Sequence, residues 1–134
     1  MELNPSVKAK HFLVVDDYES MRVLISDHLK QLGVTKITVA NSGNEAVAKF
    51  KQLESSDPIG FILTDLMMED GNGIELARQI RQTLGKKIPV IMITSKSEVS
   101  YVLEAIQAGV TSYLIKPWQL TDLAKKINEA DAKK

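Results

Sequence analysis

The chain has 134 residues, the length of one domain of ordinary size, and 44% hydrophobic against 25% charged residues is too apolar for a disordered segment. Lysine plus arginine equals aspartate plus glutamate at 17 each, so there is no overall basic field to hold nucleic acid or an anionic membrane, and any electrostatic function must be local. With no cysteine, disulfides, thiolate metal sites and a cysteine nucleophile are excluded, which suits a reducing compartment.

The opening "MELNPSVKAK" lacks the apolar segment of a signal peptide, and no apolar run approaches the length of a bilayer span, so the expected location is cytoplasmic. Residues 1–10 read as a short polar arm. A short apolar run rich in β-formers then recurs at 12–15, 37–40, 61–64, 90–93 and 112–115, each too short for a helix and read as a strand. After the first, Met21, Leu24, Ile25, His28, Leu29 and Leu32 recur at helical steps, and Gly33 stops the helix. The second helix opens at Ser42-Gly43-Asn44-Glu45, a capping box in which each side chain satisfies the other residue's free N–H, and sets Val47, Phe50 and Leu53 on one face.

The third helix carries Ile74, Ala77, Ile80 and Leu84 and stops at Gly85. The fourth begins with a second capping box, Ser95 with Glu98, followed by Val99, Val102, Leu103 and Ile106 before Gly109. The fifth follows Pro117 with Leu120, Leu123, Ala124 and Ile127, and residues 130–134 form a second polar arm. No composition break or internal repeat divides 1–134, which reads as one domain.

Strands apolar on both faces and separated by helices call for an α/β fold with a doubly wound parallel sheet covered on both sides. Right-handed crossovers then align all strand C-termini along one edge, where ligands of such folds bind. Asp16 and Asp17 follow the first strand, Asp65 the third, Thr94 and Ser95 the fourth, Lys116 and Pro117 the fifth. Singly each has a plain structural use: the aspartate pair favours a helix dipole, Asp65 opens a turn, Thr94 caps a helix and Lys116 is solvated. Together, three carboxylates at one crevice repel one another unless a cation sits between them. Hard oxygen donors with open positions suit Mg²⁺, which characteristically joins one or two carboxylates to a phosphate. The chemistry implied is phosphoryl transfer to Asp65 as nucleophile, with the metal and Lys116 offsetting charge and Thr94 donating to the product.

The motifs "FLVVDD", "ILTD", "VIMIT" and "YLIKPW", in this order at strand ends, resemble the receiver domain of two-component response regulators, close to the CheY-like single-domain chemotaxis type. The resemblance spans about residues 11–129. It implies a five-stranded sheet of flavodoxin-like order 2-1-3-4-5 with five helices in a three-layer αβα sandwich. It implies Asp65 as phosphoacceptor, Asp17 as a direct Mg²⁺ ligand, Asp16 as a ligand through water, and the Met67 backbone carbonyl as a further ligand. Thr94 and Lys116 match the pair that grips the phosphoryl group, Lys116-Pro117 matches a frequently cis peptide, and Tyr113 matches an aromatic switch; a half-buried strand tyrosine is the plainer reading of Tyr113.

The implied donor is a sensor histidine kinase. The implied output partner is a flagellar motor switch or a histidine phosphotransfer protein, bound by a monomer, with neither nucleic acid nor membrane involved. Such a receiver is a signalling protein, catalysing only its own phosphoryl transfer and slow dephosphorylation. Its readout face is the fourth helix, fifth strand and fifth helix, where Tyr101, Glu104, Trp118 and Lys126 are expected.

The chain departs from the family pattern after the phosphoacceptor, where Met68-Glu69-Asp70-Gly71-Asn72-Gly73 replaces Met-Pro-x-Met-Asp-Gly and implies a more mobile, more negative loop. Met67 cannot orient an attacking water and Lys96 can screen the phosphate, so a long-lived phosphorylated state is expected. Rival readings are a phosphorylation-independent binding module of the same fold, or a receiver fragment of a larger transcriptional regulator. A flavin carrier fits poorly because "DDYES" would repel its phosphate, and a haloacid-dehalogenase phosphatase needs a second aspartate where Met67 stands.

Overall fold

The expected alternation of strand and helix is present in the computed structural model, which describes residues 2–68 and 71–133. In chain order it comprises α1 (Pro5–Lys8), β1 (His11–Val15), α2 (Glu19–Gln31), β2 (Lys36–Ala40), α3 (Gly43–Leu53) and β3 (Phe61–Asp65). A hairpin of β4 (Met67–Met68) and β5 (Gly71–Asn72) follows, then α4 (Gly73–Arg78), β6 (Val90–Thr94), α5 (Val102–Gln107), β7 (Ser112–Ile115) and α6 (Leu120–Lys133). A π-turn at Gln79–Thr83 extends α4, and a 3-10 helix at Lys96–Tyr101 leads into α5.

The main sheet is parallel in the order β2-β1-β3-β6-β7, the predicted 2-1-3-4-5 once the hairpin is set aside. Every residue of β1, β3 and β6 is buried, which is why 12–15, 61–63 and 90–93 are unbroken apolar runs. Successive side chains point to opposite faces. Leu13, Val15, Ile62 and Met92 therefore pack with Phe50, Ile74 and Ile80 on one side, while Phe12, Val14, Phe61 and Ile91 pack with Ile25, Leu29, Leu123 and Ile127 on the other. Phe12 and Phe61 stack with ring centroids 4.7 Å apart, holding β1 against β3. Among the described residues no helix is long and apolar enough to cross a membrane.

The terminal segments differ from the polar arms expected at 1–10 and 130–134. α1 is a sixth helix, and Leu3 and Val7 are buried in the layer that α2 and α6 cover. Asn4 N–H donates to Asn128 Oδ1 (3.1 Å), Asn128 Nδ2 donates to the Glu2 carbonyl (3.0 Å), and Lys10 pairs with Asp131 at 2.6 Å. α6 continues to Lys133 with Ala130 fully buried. Two apolar residues in a polar segment become core only because α6 supplies the wall opposite.

Two further corrections concern helix starts and faces. At α3, Ser42 Oγ accepts from Glu45 N–H (3.0 Å), but the Glu45 carboxylate reaches Asn41 N–H (2.8 Å) rather than Ser42, so the box closes one residue earlier than expected. After β6, the apolar stripe faces outward: Leu103 is 68% and Ile106 51% exposed, while Ala105 and Ala108 turn to the core.

Candidate functional site

The parallel register delivers the chemistry-bearing residues to one end of the sheet. Asp16 follows β1, and its N–H donates to the Ala40 carbonyl (3.1 Å), continuing the pairing with β2. Its Oδ1 accepts from Tyr18 N–H (2.9 Å), which turns the chain into α2. Asp65 closes β3 opposite Ile93, and Leu66 N–H donates to the Ile93 carbonyl (3.0 Å), so the backbone on both sides of Asp65 is held in the ladder. Lys116 leaves β7 with its N–H on the Thr94 carbonyl (2.7 Å), and the Lys116-Pro117 peptide is cis, as expected.

Asp16, Asp17 and Asp65 each present a carboxylate oxygen, all within 4.8 Å of one another. Lys116 Nζ lies 3.0 Å from Asp65 Oδ1. Asp16 is 1% and Asp65 5% exposed. Burial pushes the Asp16 carboxyl above its ordinary range; the Tyr18 N–H opposes this, and the charges of Asp65 and Asp17 add to it. Burial likewise raises Asp65, against the hydrogen bond and charge of Lys116. Carboxylates gathered in a desolvated corner, with Lys116 offsetting one of them, are the donor set that a hard divalent cation satisfies, so the residues fit Mg²⁺.

Gly73 explains how the next element is set against this corner. A Cβ there would fall 2.4 Å from the Asp65 carbonyl oxygen and 3.0 Å from Thr64 Cγ2, so only glycine fits at the start of α4. Gly73 N–H donates to the Leu66 carbonyl (2.8 Å), and the Asn72 side chain caps α4 by accepting from Glu75 N–H (2.8 Å). The loop expected to be mobile and negative falls partly on Glu69 and Asp70, which lie outside the described residues. On either side of them Met67 pairs with Asn72 and Met68 with Gly71. Met67, two residues after Asp65, is 44% exposed.

Thr94 is fully buried at the end of β6, and its hydroxyl donates to Glu98 Oε1 at 3.2 Å. The same oxygen accepts from Ser95 N–H (3.0 Å) and Ser95 Oγ (3.0 Å). These donors, the Ser95 N–H foremost, hold the Glu98 carboxyl below its ordinary range. Sequence reasoning took Glu98 for a helix cap; its reach to Thr94 carried no signal beyond the S-x-x-E spacing.

Tyr113 is half-buried on β7 with Lys126 Nζ 5.1 Å from its ring centroid, and it faces a groove of about 520 Å³ lined by Lys96, Lys116, Pro117, Asp122 and Lys126. Tyr101 and Glu104 are exposed on the 3-10 helix and α5 nearby. Trp118 does not join them. Its Nε1 donates to His28 Nδ1 (3.1 Å) and its ring meets the imidazole edge-on, tying the loop after Pro117 to α2. The structure thus joins Asp16, Asp17, Asp65 and Lys116 directly, engages Thr94 with Glu98, and sends Trp118 to a different face from Tyr113.

Residues 12–128 match the response regulator receiver domain family. The chain is 35% identical over 118 residues to the chemotaxis protein CheY of Pseudomonas aeruginosa, covering 87% of this chain and 92% of that protein. It is 33% identical over 128 residues to the chemotaxis protein CheY-3 of Vibrio cholerae, covering 95% and 93%. Among solved structures, a response regulator receiver domain protein from Clostridium thermocellum superposes with a TM-score of 0.81 at 27% identity, covering 92% of this chain and 95% of that one. The chain belongs to the response regulator receiver domain family of two-component systems, and it is CheY-like in sequence and fold.

Proposed function

We propose that the chain is a phosphorylation-driven signalling switch that accepts a phosphoryl group on Asp65 from a sensor histidine kinase. The observation that carries this reading is the buried Asp65 paired to Lys116 beside Asp16 and Asp17. Asp65 attacks the phosphorus of a phosphohistidine; the new P–O bond forms as the P–N bond breaks, and the imidazole leaves with the bonding pair and takes up a proton. Lys116, already on Asp65 Oδ1, shifts its ammonium toward the transferred oxygens. Asp17, Asp65 and the Met67 carbonyl would hold Mg²⁺ directly and Asp16 through water. Mg²⁺ supplies neutralising charge at the transferring oxygens.

Thr94 then donates to the phosphoryl group and Tyr113 turns inward, so the phosphate biases an equilibrium between two packings of the α5, β7 and α6 face. The exposed Tyr101, Leu103 and Ile106 support partner docking on that face. The chemotaxis names of the relatives favour a flagellar motor switch as partner, with the chain acting as a cytoplasmic monomer.

The test is phosphate incorporation from acetyl phosphate, with and without Mg²⁺, in the wild type and in Asp65→Asn. Mg²⁺-dependent, base-labile uptake that the substitution abolishes is the expected result. A wild-type chain that binds Mg²⁺ yet takes up no phosphate points instead to a phosphorylation-independent binding module. Met67 offers no group to orient a hydrolytic water, so the phosphorylated chain should lose its label over many minutes; decay within seconds in purified protein contradicts this.

A further inference from the structure

We propose that Glu98 is a latch on Thr94: it holds the threonine hydroxyl in a bond that must break before that hydroxyl can donate to a phosphoryl oxygen, and so sets how readily the site switches. The inference rests on the phosphoryl reading of Asp65 and concerns the regulation of that same site.

A hydroxyl has one proton to give. In Thr94 it goes to Glu98 Oε1 at 3.2 Å, with the Ser95 carbonyl a poorer alternative at 3.4 Å. Thr94 is fully buried, so water does not compete for that proton. Glu98 Oε1 gathers donors from Ser95 N–H, Ser95 Oγ and Thr94, and the Thr94 bond is the longest of them. A carboxylate oxygen offers about two lone pairs, so this crowded acceptor can release its longest donor while the helix cap persists. The latch is charge-assisted, which favours the resting arrangement, and overcrowded, which lets it open.

The Glu98 charge also bears on the site itself. It pushes the Asp65 carboxyl up and draws on Lys116, so it opposes the arrival of an anionic group that needs the same lysine. Glu98 lies in the 3-10 helix Lys96–Tyr101, which leads directly to the exposed Leu103. Release of Thr94 therefore redistributes the bonds at the head of the segment that carries the proposed docking surface.

Three variants separate the latch from simple helix capping. Glu98→Ala frees Thr94 and removes the cap, Glu98→Gln keeps a capping side chain without its charge, and Ser95→Ala weakens the cap while leaving Glu98 for Thr94. Affinity for Mg²⁺ with beryllofluoride, a phosphoryl stand-in, is measured by calorimetry, and the Thr94 methyl and its rotamer are followed by NMR without metal. The latch predicts binding about tenfold tighter in Glu98→Ala, roughly threefold tighter in Glu98→Gln and no tighter in Ser95→Ala, with the Thr94 rotamer released in Glu98→Ala and loosened in Glu98→Gln before ligand is added. Glu98→Ala and Ser95→Ala behaving alike, with Glu98→Gln like wild type, would mean that Glu98 only caps a helix. Equal affinities in all four proteins overturn the latch alone. A wild type that binds Mg²⁺ but no beryllofluoride overturns the phosphoryl reading and the latch with it.

Discussion

At the amino-terminal end of the sheet, His11 Nδ1 lies 2.9 Å from the Asp57 carbonyl and its Nε2 2.7 Å from Thr38 Oγ1, and Lys10 pairs with Asp131. Near the starts of β6 and β7, the Arg81 guanidinium donates twice to the Gly109 carbonyl (2.8 and 3.1 Å) and once to Lys86 (3.0 Å). At the carboxyl end, Asp16, Asp17 and Asp65 crowd together with like charge. Polar groups at the first end meet complementary partners within the chain; at the second, three carboxylates share one corner in which Lys116 pairs with Asp65. Buried like charges cost stability, so a protein tolerates them where a ligand relieves the repulsion.

Arg81→Ala should have the largest effect on stability, because it removes a desolvated guanidinium and strips two loop carbonyls of their donors. The expected loss is about 2–4 kcal/mol by urea unfolding, with Mg²⁺-dependent phosphate uptake unchanged under native conditions. A loss under about 1 kcal/mol would break the contrast between the two ends.

The opposite sign is expected at the carboxyl end. Asp16→Asn keeps an acceptor for Tyr18 N–H but removes one charge of the cluster. In metal-free protein at neutral pH it should raise the melting temperature by a few degrees, roughly 1 kcal/mol. A drop would mean that the carboxylates are not in conflict.

The subtlest effect is the response to pH. The folded-state carboxyls of Asp16 and Asp65 lie above the ordinary value of 3.8, so the stability they contribute is complete below 3.8 and is lost as pH rises through their raised values. Glu98 runs the other way: lowered from 4.5, it contributes stability that is present above 4.5 and lost as pH falls through its lowered value. Melting of the metal-free chain should therefore rise on mild acidification from neutral pH and turn down only in stronger acid. Mg²⁺ should raise it more at neutral pH than at the acid end, where protons already relieve the cluster. A melting temperature that falls steadily from neutral pH removes the ground for treating the carboxyl end as stored repulsion.

Gly73 and Glu98 owe their roles to neighbours that no local pattern announces. That Asp65 would end a buried strand follows from its position after an apolar run, yet the need for glycine at 73 depends on α4 being pressed against the Asp65 carbonyl. The spacing of Ser95 and Glu98 announces a cap, but spacing does not say that Glu98 also collects a hydroxyl from the strand before it. Trp118 was expected beside Tyr101 and instead meets His28, a partner ninety residues away in sequence.

What the amino-acid sequence determined by itself is the sheet and the acids at its end. A segment buried on both faces is made of apolar residues, so 12–15, 61–63 and 90–93 announce themselves, and the aspartates that end the first and third runs, Asp16 and Asp65, stand at the carboxyl edge of the sheet. What tertiary structure decided is which of two equally periodic stripes on α5 turns inward, whether Leu3 and Val7 count as core, and where the second oxygen-rich arm of each cap reaches. Periodicity specifies that a helix has faces, and only the neighbour packed against it selects one; here small Ala105 and Ala108 lie against the protein and Leu103 and Ile106 are left to solvent.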